Sequence, residues 1–388
     1  MVAINRRAIL KGSAALAGAI ATPRALSAAA TEAPRLLLII MRGGVDGLSL
    51  LPPLGDPDYR RLRPNTAVED AVALDGTFGL HPGLKLLRRL WDRGEMAAVH
   101  AICTPYRDRS HFDAQNVLES GLPGPSGTAT GWLNRAIALR PDPARLAMAI
   151  GTSPSLALRG PVTVQSWAPS VLPDAGADLL GRLAPLWAAD PLLGPQLRQA
   201  METRGLTAGM GDMGAGANGA GRIRPLLDGA ARLLADPGGP QIAVVDSTGW
   251  DSHANAPGLL GRLTADLDNG LEALIAGLGP VWSRTIVVMV SEFGRAAAEN
   301  GNRGADHGTG GMAILFGGAV AGGRIAGQWP GLGTRDLLDG RDLRPTSDIR
   351  GLFASLAHDH LRFPARAIGE TILPGISPDP AFTDLIRA

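Results

Sequence analysis

The stretch RLLLIIMRGGVDGL, residues 35–48, decides the fold class. Leu36 to Met41 form a short, unbroken apolar run that stops at Arg42 and a pair of glycines. A run of that length bounded by a Gly-rich turn is the pattern of a strand buried on both faces, as in a parallel sheet. Similar runs recur at residues 96–103, 146–150, 241–246, 284–290 and 312–318. Between them, residues 84–94 and 259–278 carry apolar residues three and four apart and close at glycine, which reads as helix. Strands alternating with helices predict a doubly wound α/β domain: a mostly parallel central sheet, helices on both faces, ligands at the carboxyl ends of the strands. Residues 31–388 read as one such domain. A Gly/Ala/Met-rich stretch near 201–224 has no periodicity and reads as a loop or insertion.

With 388 residues and 45% hydrophobic content, the chain is long enough to bury a large core. The net charge of +1, with Lys11 and Lys85 the two lysines, offers no basic surface for nucleic acid. At the N-terminus, NRRAILK at residues 5–11 precedes a weakly apolar run of small residues, with Ala-rich cleavage options at Ala28 to Ala30. Residues 1–30 therefore read as a twin-arginine export signal, which makes the export machinery an expected partner and the periplasm or the exterior the expected destination. That run is too short and too small in side-chain volume to span a bilayer stably, and no later run reaches about 18 apolar residues. Cys103 is the single cysteine, which excludes an intrachain disulfide.

Polar clusters follow the apolar runs. Asp46 sits in the first Gly-rich turn, RDRSHFDAQ occupies residues 107–115, VDSTGWDSH occupies 245–253, and SEFGR at 291–295 is followed by GADHG at 304–308. The doubly wound arrangement gathers such turns at one sheet edge. Carboxylates and imidazoles arriving from separate strands are what a divalent metal requires, because its donors must converge from several directions. Each residue also has a structural role open to it: Asp46 can cap its turn, Asp251 a helix, and Glu292 can pair with Arg295. His81 and His100 read as structural, His358 and His360 as surface residues. Residues 110–121 read as a helix beginning at Ser110 and ending near Gly121, with Asp113 at its third position. Ser110 would face free backbone N–H groups and the positive end of a helix dipole, which favours an anionic group, or would serve simply as an N-cap. Arg107 and Arg109 offer bidentate contacts to the same anion.

The export signal and the motifs RGGVDGLS (42–49), FGLHPGLKLL (78–87), PYRDRSHFDAQ (105–115), GWDSH (249–253), SEFGR (291–295) and DHG (306–308), in that order, resemble the exported bacterial family called domain of unknown function 1501. That family is similar to the alkaline phosphatase and sulfatase superfamily of metal-dependent hydrolases, with a nucleophile at a helix N-terminus and two metal ions. The resemblance implies an alkaline-phosphatase-like α/β fold. Residues 243–253, followed by a helix containing Asp266 and Asp268, resemble the superfamily's metal segment, which would assign Asp246 or Asp251, with His253, to one metal. Asp46 matches its early metal-binding Asp, and Asp306 with His307 come where its last histidine is often supplied. Phe293 stands where an imidazole ligand is expected and cannot bind a metal, which implies one ion or a rearranged pair, with Glu292 near.

CTPYR at 103–107 also fits the sulfatase Cys-x-Pro-x-Arg pattern. Gly121 lies 18 positions beyond Cys103 but 11 beyond Ser110, and the spacing favours Ser110 as nucleophile. Cys103 is the second option, or a small buried strand residue. The expected function is an exported hydrolase of phosphate or sulfate esters, acting on a small anionic ester with a divalent metal: zinc first, with manganese, magnesium and calcium as alternatives. The other reading is a non-catalytic exported binding or assembly protein that retains the fold, which Phe293 favours.

Overall fold

The apolar run at residues 35–41 forms the central strand of a nine-stranded sheet in the computed structural model, which describes residues 33–169, 177–191, 193–206 and 223–387. The strands are β1 (Arg35–Met41), β2 (Met96–Cys103), β3 (Ala147–Ile150), β4 (Gln165–Trp167), β5 (Ile242–Ser247), β6 (Thr285–Val290), β7 (Gly311–Phe316), β8 (Arg324–Ala326) and β9 (Ser347–Asp348). Their order is β8-β2-β7-β6-β1-β5-β3-β4, with β9 also on β2. β7 runs antiparallel to both β6 and β2, and the other pairings are parallel. The sheet is therefore mixed but mostly parallel, as expected.

Successive β1 side chains point to opposite faces and join different cores. Leu37, Ile39 and Met41 pack with helices α1 (Lys85–Asp92), α3 (Arg224–Ala235) and α4 (Ala256–Leu278). Leu36, Leu38 and Ile40 pack on the other face with residues 132–137 and α5 (Ile349–Ser355). Helix α2 (His111–Ser120) follows β2 and ends at Gly121, whose φ of 70° is the left-handed geometry that glycine permits. In α4, Leu260, Leu267, Leu271, Leu274 and Leu278 are all buried, each contributing about 2 kcal/mol of transfer free energy. Both faces being covered explains why the strands read as continuous apolar runs.

The described residues from Pro34 onward form one compact unit. Residues 1–30, read from the sequence as an export signal, lie outside the described residues, as do 207–222 of the Gly-rich stretch; residues 201–206 close a helix spanning Leu193–Leu206, and Arg224 opens α3. Among the described residues no helix is long and apolar enough to cross a membrane. The surface assignment of His360 is corrected. It is buried, its Nε2 lies 2.8 Å from the carbonyl oxygen of Arg35, and burial pushes it down to about 4. His358 is exposed, beside Asp359.

Candidate functional site

Strand register gathers the polar clusters. Ile40 of β1 is opposite Asp246 on one side and Val290 on the other, so Arg42, Asp246 and Glu292 leave the sheet side by side. β7 is antiparallel with Ala313 opposite Val290, so the loop that precedes β7, carrying Asp306 and His307, arrives at this same edge. β2 ends there too, and residues 104–110 lead from it into α2. Two glycines bring the backbones close. A Cβ on Gly43 would lie 2.6 Å from the Asp251 nitrogen, and one on Gly304 would collide with the His253 backbone. Both residues are glycine because the chain bearing Asp251 and His253 passes against them.

Three imidazoles and one carboxylate converge. His111 Nε2 lies 3.0 Å from His307 Nε2, and His307 Nε2 lies 3.3 Å from Asp251 Oδ1. His111 Nε2 lies 3.7 Å from Asp251 Oδ2. His253 Nε2 sits 3.0 Å from His307 Nε2 and 3.1 Å from Asp251 Oδ1. The opposite nitrogen of each ring faces an acceptor. His111 Nδ1 is 2.8 Å from Glu292 Oε1, His307 Nδ1 is 3.2 Å from the Arg109 carbonyl oxygen, and His253 Nδ1 is 3.6 Å from Asp306 Oδ1. For His111 and His307 these acceptors assign the ring proton to Nδ1 and leave the Nε2 lone pair pointing inward.

Two neutral rings cannot face each other at 3.0 Å through two lone pairs, so a proton or a cation must stand between them. Glu292 keeps its negative charge: burial opposes ionisation, but donors from His111, Gln115 and the Gly43 N–H hold its carboxyl at about 2. The hydrogen bond that His111 donates to Glu292 raises His111, whereas burial, then Arg295, lowers His307. Between these two rings the surroundings favour a proton on His111 over one on His307.

His111, Asp251 and His307 each offer one ligand atom, all within 4.8 Å of one another, and could hold a metal ion. Tetrahedral ligands at about 2.0–2.1 Å from zinc are roughly 3.3 Å apart. The His111–His307 separation of 3.0 Å and the His307–Asp251 Oδ1 separation of 3.3 Å lie near that value, and the other Asp251 oxygen, Oδ2, is 3.7 Å from His111. Inward Nε2 atoms with outward Nδ1–H groups on carboxylate or carbonyl are the outer-shell pattern of a metal site, so the donor set fits a metal.

The remaining expected residues are engaged in other ways. Asp46 is buried in an ion pair with Arg63 and accepts from Ser49 at 2.7 Å; burial works against its ionisation, but Arg63 keeps the carboxyl low. Asp246 lies 3.0 Å from Arg42, which also pairs with Glu119, and burial raises its carboxyl despite that partner. Glu292 does not pair with Arg295. Its Oε1 takes the Gly43 N–H at 2.9 Å and Gln115 Nε2 at 3.1 Å besides His111, and Oε2 takes Ser291 Oγ at 2.9 Å, so it orients rather than offers ligand atoms. Asp306 accepts from Asn300 at 3.1 Å.

Arg107 folds back on the carbonyls of Thr104 and Tyr106. Arg109 donates Nε to buried Asp342 at 2.8 Å, and its φ of 63° aims its carbonyl at His307. Ser110 is the N-cap of α2 in extended conformation, but its hydroxyl makes no capping bond. Cys103 is buried, and desolvation pushes its thiol up to about 11. Phe293 is buried with its ring 4.8 Å from that of His111 and 5.1 Å from that of His307, so it walls the imidazoles instead of replacing one.

His111 and Arg295 were missed as site residues. His111 had a signal: it follows Ser110, already placed at a helix N-terminus on the ligand-binding edge. Arg295 is fully buried and donates to the Gly44 oxygen at 2.6 Å, the Ala305 oxygen at 3.1 Å and the Asp251 carboxylate. It clamps three loops of the site together.

Residues 193–372 match the family described as Protein of unknown function (DUF1501). The DUF1501 match covers Asp251, His253, Glu292, Asp306 and His307; Ser110 and His111 precede it. No curated protein matches the chain. Similar solved structures include the C-terminal periplasmic domain of EcEptC from Escherichia coli in complex with Zn, 11% identical over 74% of each chain with a TM-score of 0.34. The phosphonate monoester hydrolase of Agrobacterium radiobacter is 12% identical over 84% of this chain and 73% of that one, with a TM-score of 0.32. BT1596, a 2-O GAG sulfatase, is 10% identical over 74% of this chain and 64% of that one, with a TM-score of 0.30.

Proposed function

We propose that the chain is an exported, metal-dependent hydrolase of phosphate or sulfate esters, with an alkaline-phosphatase-like site at the carboxyl edge of the sheet. The observation that carries this reading is the convergence of His111 Nε2, His307 Nε2 and an Asp251 oxygen, with each ring's Nδ1 committed outward. Those three residues would hold the ion, and His253 stands beside them. Two imidazoles and one carboxylate suit zinc better than magnesium or calcium, which prefer all-oxygen shells. When bound, the ion lowers the pKa of a nucleophile or water and offsets charge on the ester oxygens.

The protein's own groups supply the rest. Glu292 and the Arg109 carbonyl fix the tautomers of His111 and His307, keeping their Nε2 atoms available. Ser110, whose hydroxyl makes no capping bond, is the nucleophile, and the free N–H groups of the first turn of α2 receive the anion. Arg107 and Arg109 are held by loop carbonyls and by Asp342, so anion contact falls mainly to that helix terminus.

The same commitment of both arginines favours a second reading, a metal-loaded binding or assembly protein without turnover. The two share a first test: the purified protein should carry stoichiometric zinc, lost in a His111→Ala, His307→Ala double variant. Absence of metal from the wild-type protein, with no loss of thermal stability on chelation, would refute both. Turnover of aryl phosphates and sulfates by the loaded protein then separates them. Export rests on Arg6 and Arg7, and replacing both with Lys should leave the precursor in the cytoplasm, as cell fractionation would reveal.

A further inference from the structure

A pocket of about 480 Å³ is lined by none of the residues of the imidazole cluster. It lies between residues 66–70, the turn at residues 81–83 and the first two turns of α4. Its volume falls in the range of small-molecule sites. Val68, Pro82, Pro257 and Leu260 supply apolar walls.

The polar groups of this pocket are unequal in kind. His81 is 8% exposed, and its Nδ1 accepts the Gly83 N–H at 3.1 Å. That bond requires Nδ1 to be unprotonated, and burial keeps the ring neutral, so the proton is on Nε2. No described residue accepts it. The hydroxyl protons of Ser49 and Thr66 are both spent, on Asp46 at 2.7 Å and on Glu299 at 2.8 Å, so toward the pocket these oxygens can only accept. Asp70, the single formal charge in the lining, adds an exposed carboxylate. The lining thus presents several acceptors, one negative charge and one unmatched donor.

We infer that this pocket binds a small organic ammonium compound bearing hydroxyl groups, of the amino-alcohol class: the ammonium and hydroxyl protons meet Asp70, Thr66 and Ser49, and an oxygen accepts from His81 Nε2. An anion is disfavoured there because it would face Asp70 with a single donor in return. The site is therefore complementary to a different ligand class from the anionic ester of the metal centre, and it stands whether or not that centre turns over.

Gly261 supplies a clean block. It is helical, lines the pocket, and a Cβ on it would meet no atom within 4 Å. Gly261→Leu should fill the pocket while holding or raising the thermal midpoint, since leucine favours helix over glycine. The experiment is saturation-transfer NMR and calorimetric titration of the full chain with serinol, glycerol and glycerate. Serinol should bind, glycerol at least about tenfold more weakly, and glycerate not at all. Gly261→Leu should abolish serinol binding, and Asp70→Asn, an exposed change with little effect on folding, should weaken it about tenfold and narrow its advantage over glycerol. No binding of serinol to the wild-type chain, equal binding of glycerate, or unchanged binding in either variant would overturn the inference.

Discussion

Replacing Glu292 with glutamine tests whether the imidazole cluster is built to hold a metal. Glu292 is fully buried, and the change keeps its shape while removing its charge. Three donors, His111 Nδ1 at 2.8 Å, the Gly43 N–H at 2.9 Å and Gln115 Nε2 at 3.1 Å, would each lose a charge-assisted bond, while the single Ser291 hydroxyl proton also has the Met41 carbonyl oxygen at 2.6 Å. A carboxyl held at about 2, against roughly 4.3 unfolded, corresponds to about 3 kcal/mol of stabilisation at neutral pH. The sign follows from the depressed value: that stability is present above the unfolded pKa and is lost as pH falls through about 4 toward 2. Glu292→Gln should therefore destabilise the metal-free protein by up to about 3 kcal/mol in urea at pH 7. It should also free the His111 ring to turn, weakening zinc binding about 10- to 100-fold in a competitive calorimetric titration. Zinc affinity within about threefold of wild type would refute the claim that Glu292 orients a ligand, even with the stability loss intact.

Burial holds both His360 and His100 at about 4, so each resists the proton that the unfolded chain takes up below about 6.5. Stability should be full above pH 6.5 and fall by up to about 2 kcal/mol per histidine by pH 5, and His360→Gln should flatten that slope in urea melts. Ser110→Ala should abolish ester turnover while costing less than the ~1 kcal/mol of a bonded N-cap, because its hydroxyl makes no capping bond; an active variant would move the nucleophile elsewhere.

The strands were legible because burial on both faces leaves no polar alternation to disguise them, and the apolar runs at residues 35–41, 96–103 and 285–290 became β1, β2 and β6. β7 was legible as a strand but not in its direction. Nothing in GMAILF says that it runs antiparallel, and hydrogen-bond direction depends on neighbours far away in sequence. Asp46 and Glu292 show the same limit at the level of side chains. Both were readable as carboxylates at strand ends, but their partners, Arg63 and His111, come from other segments and have no spacing relation to them.

The reversed strand also accounts for the placement of Phe293. In an all-parallel arrangement the residues just after β6 would be the ones to supply an imidazole to this edge, and Phe293 cannot. Because β7 is antiparallel, its leading loop returns to the edge and delivers His307 from the far side, while β2 delivers His111 through α2. Phe293 then lies against both rings, and an apolar side chain there limits their rotation, where a polar one would compete for the Nε2 atoms. Glu292, one residue earlier, accepts a hydrogen bond from His111 Nδ1. The pair Glu292-Phe293 thus orients His111 by a hydrogen bond and packs both rings by contact, a division that a single ligating histidine at either position could not perform.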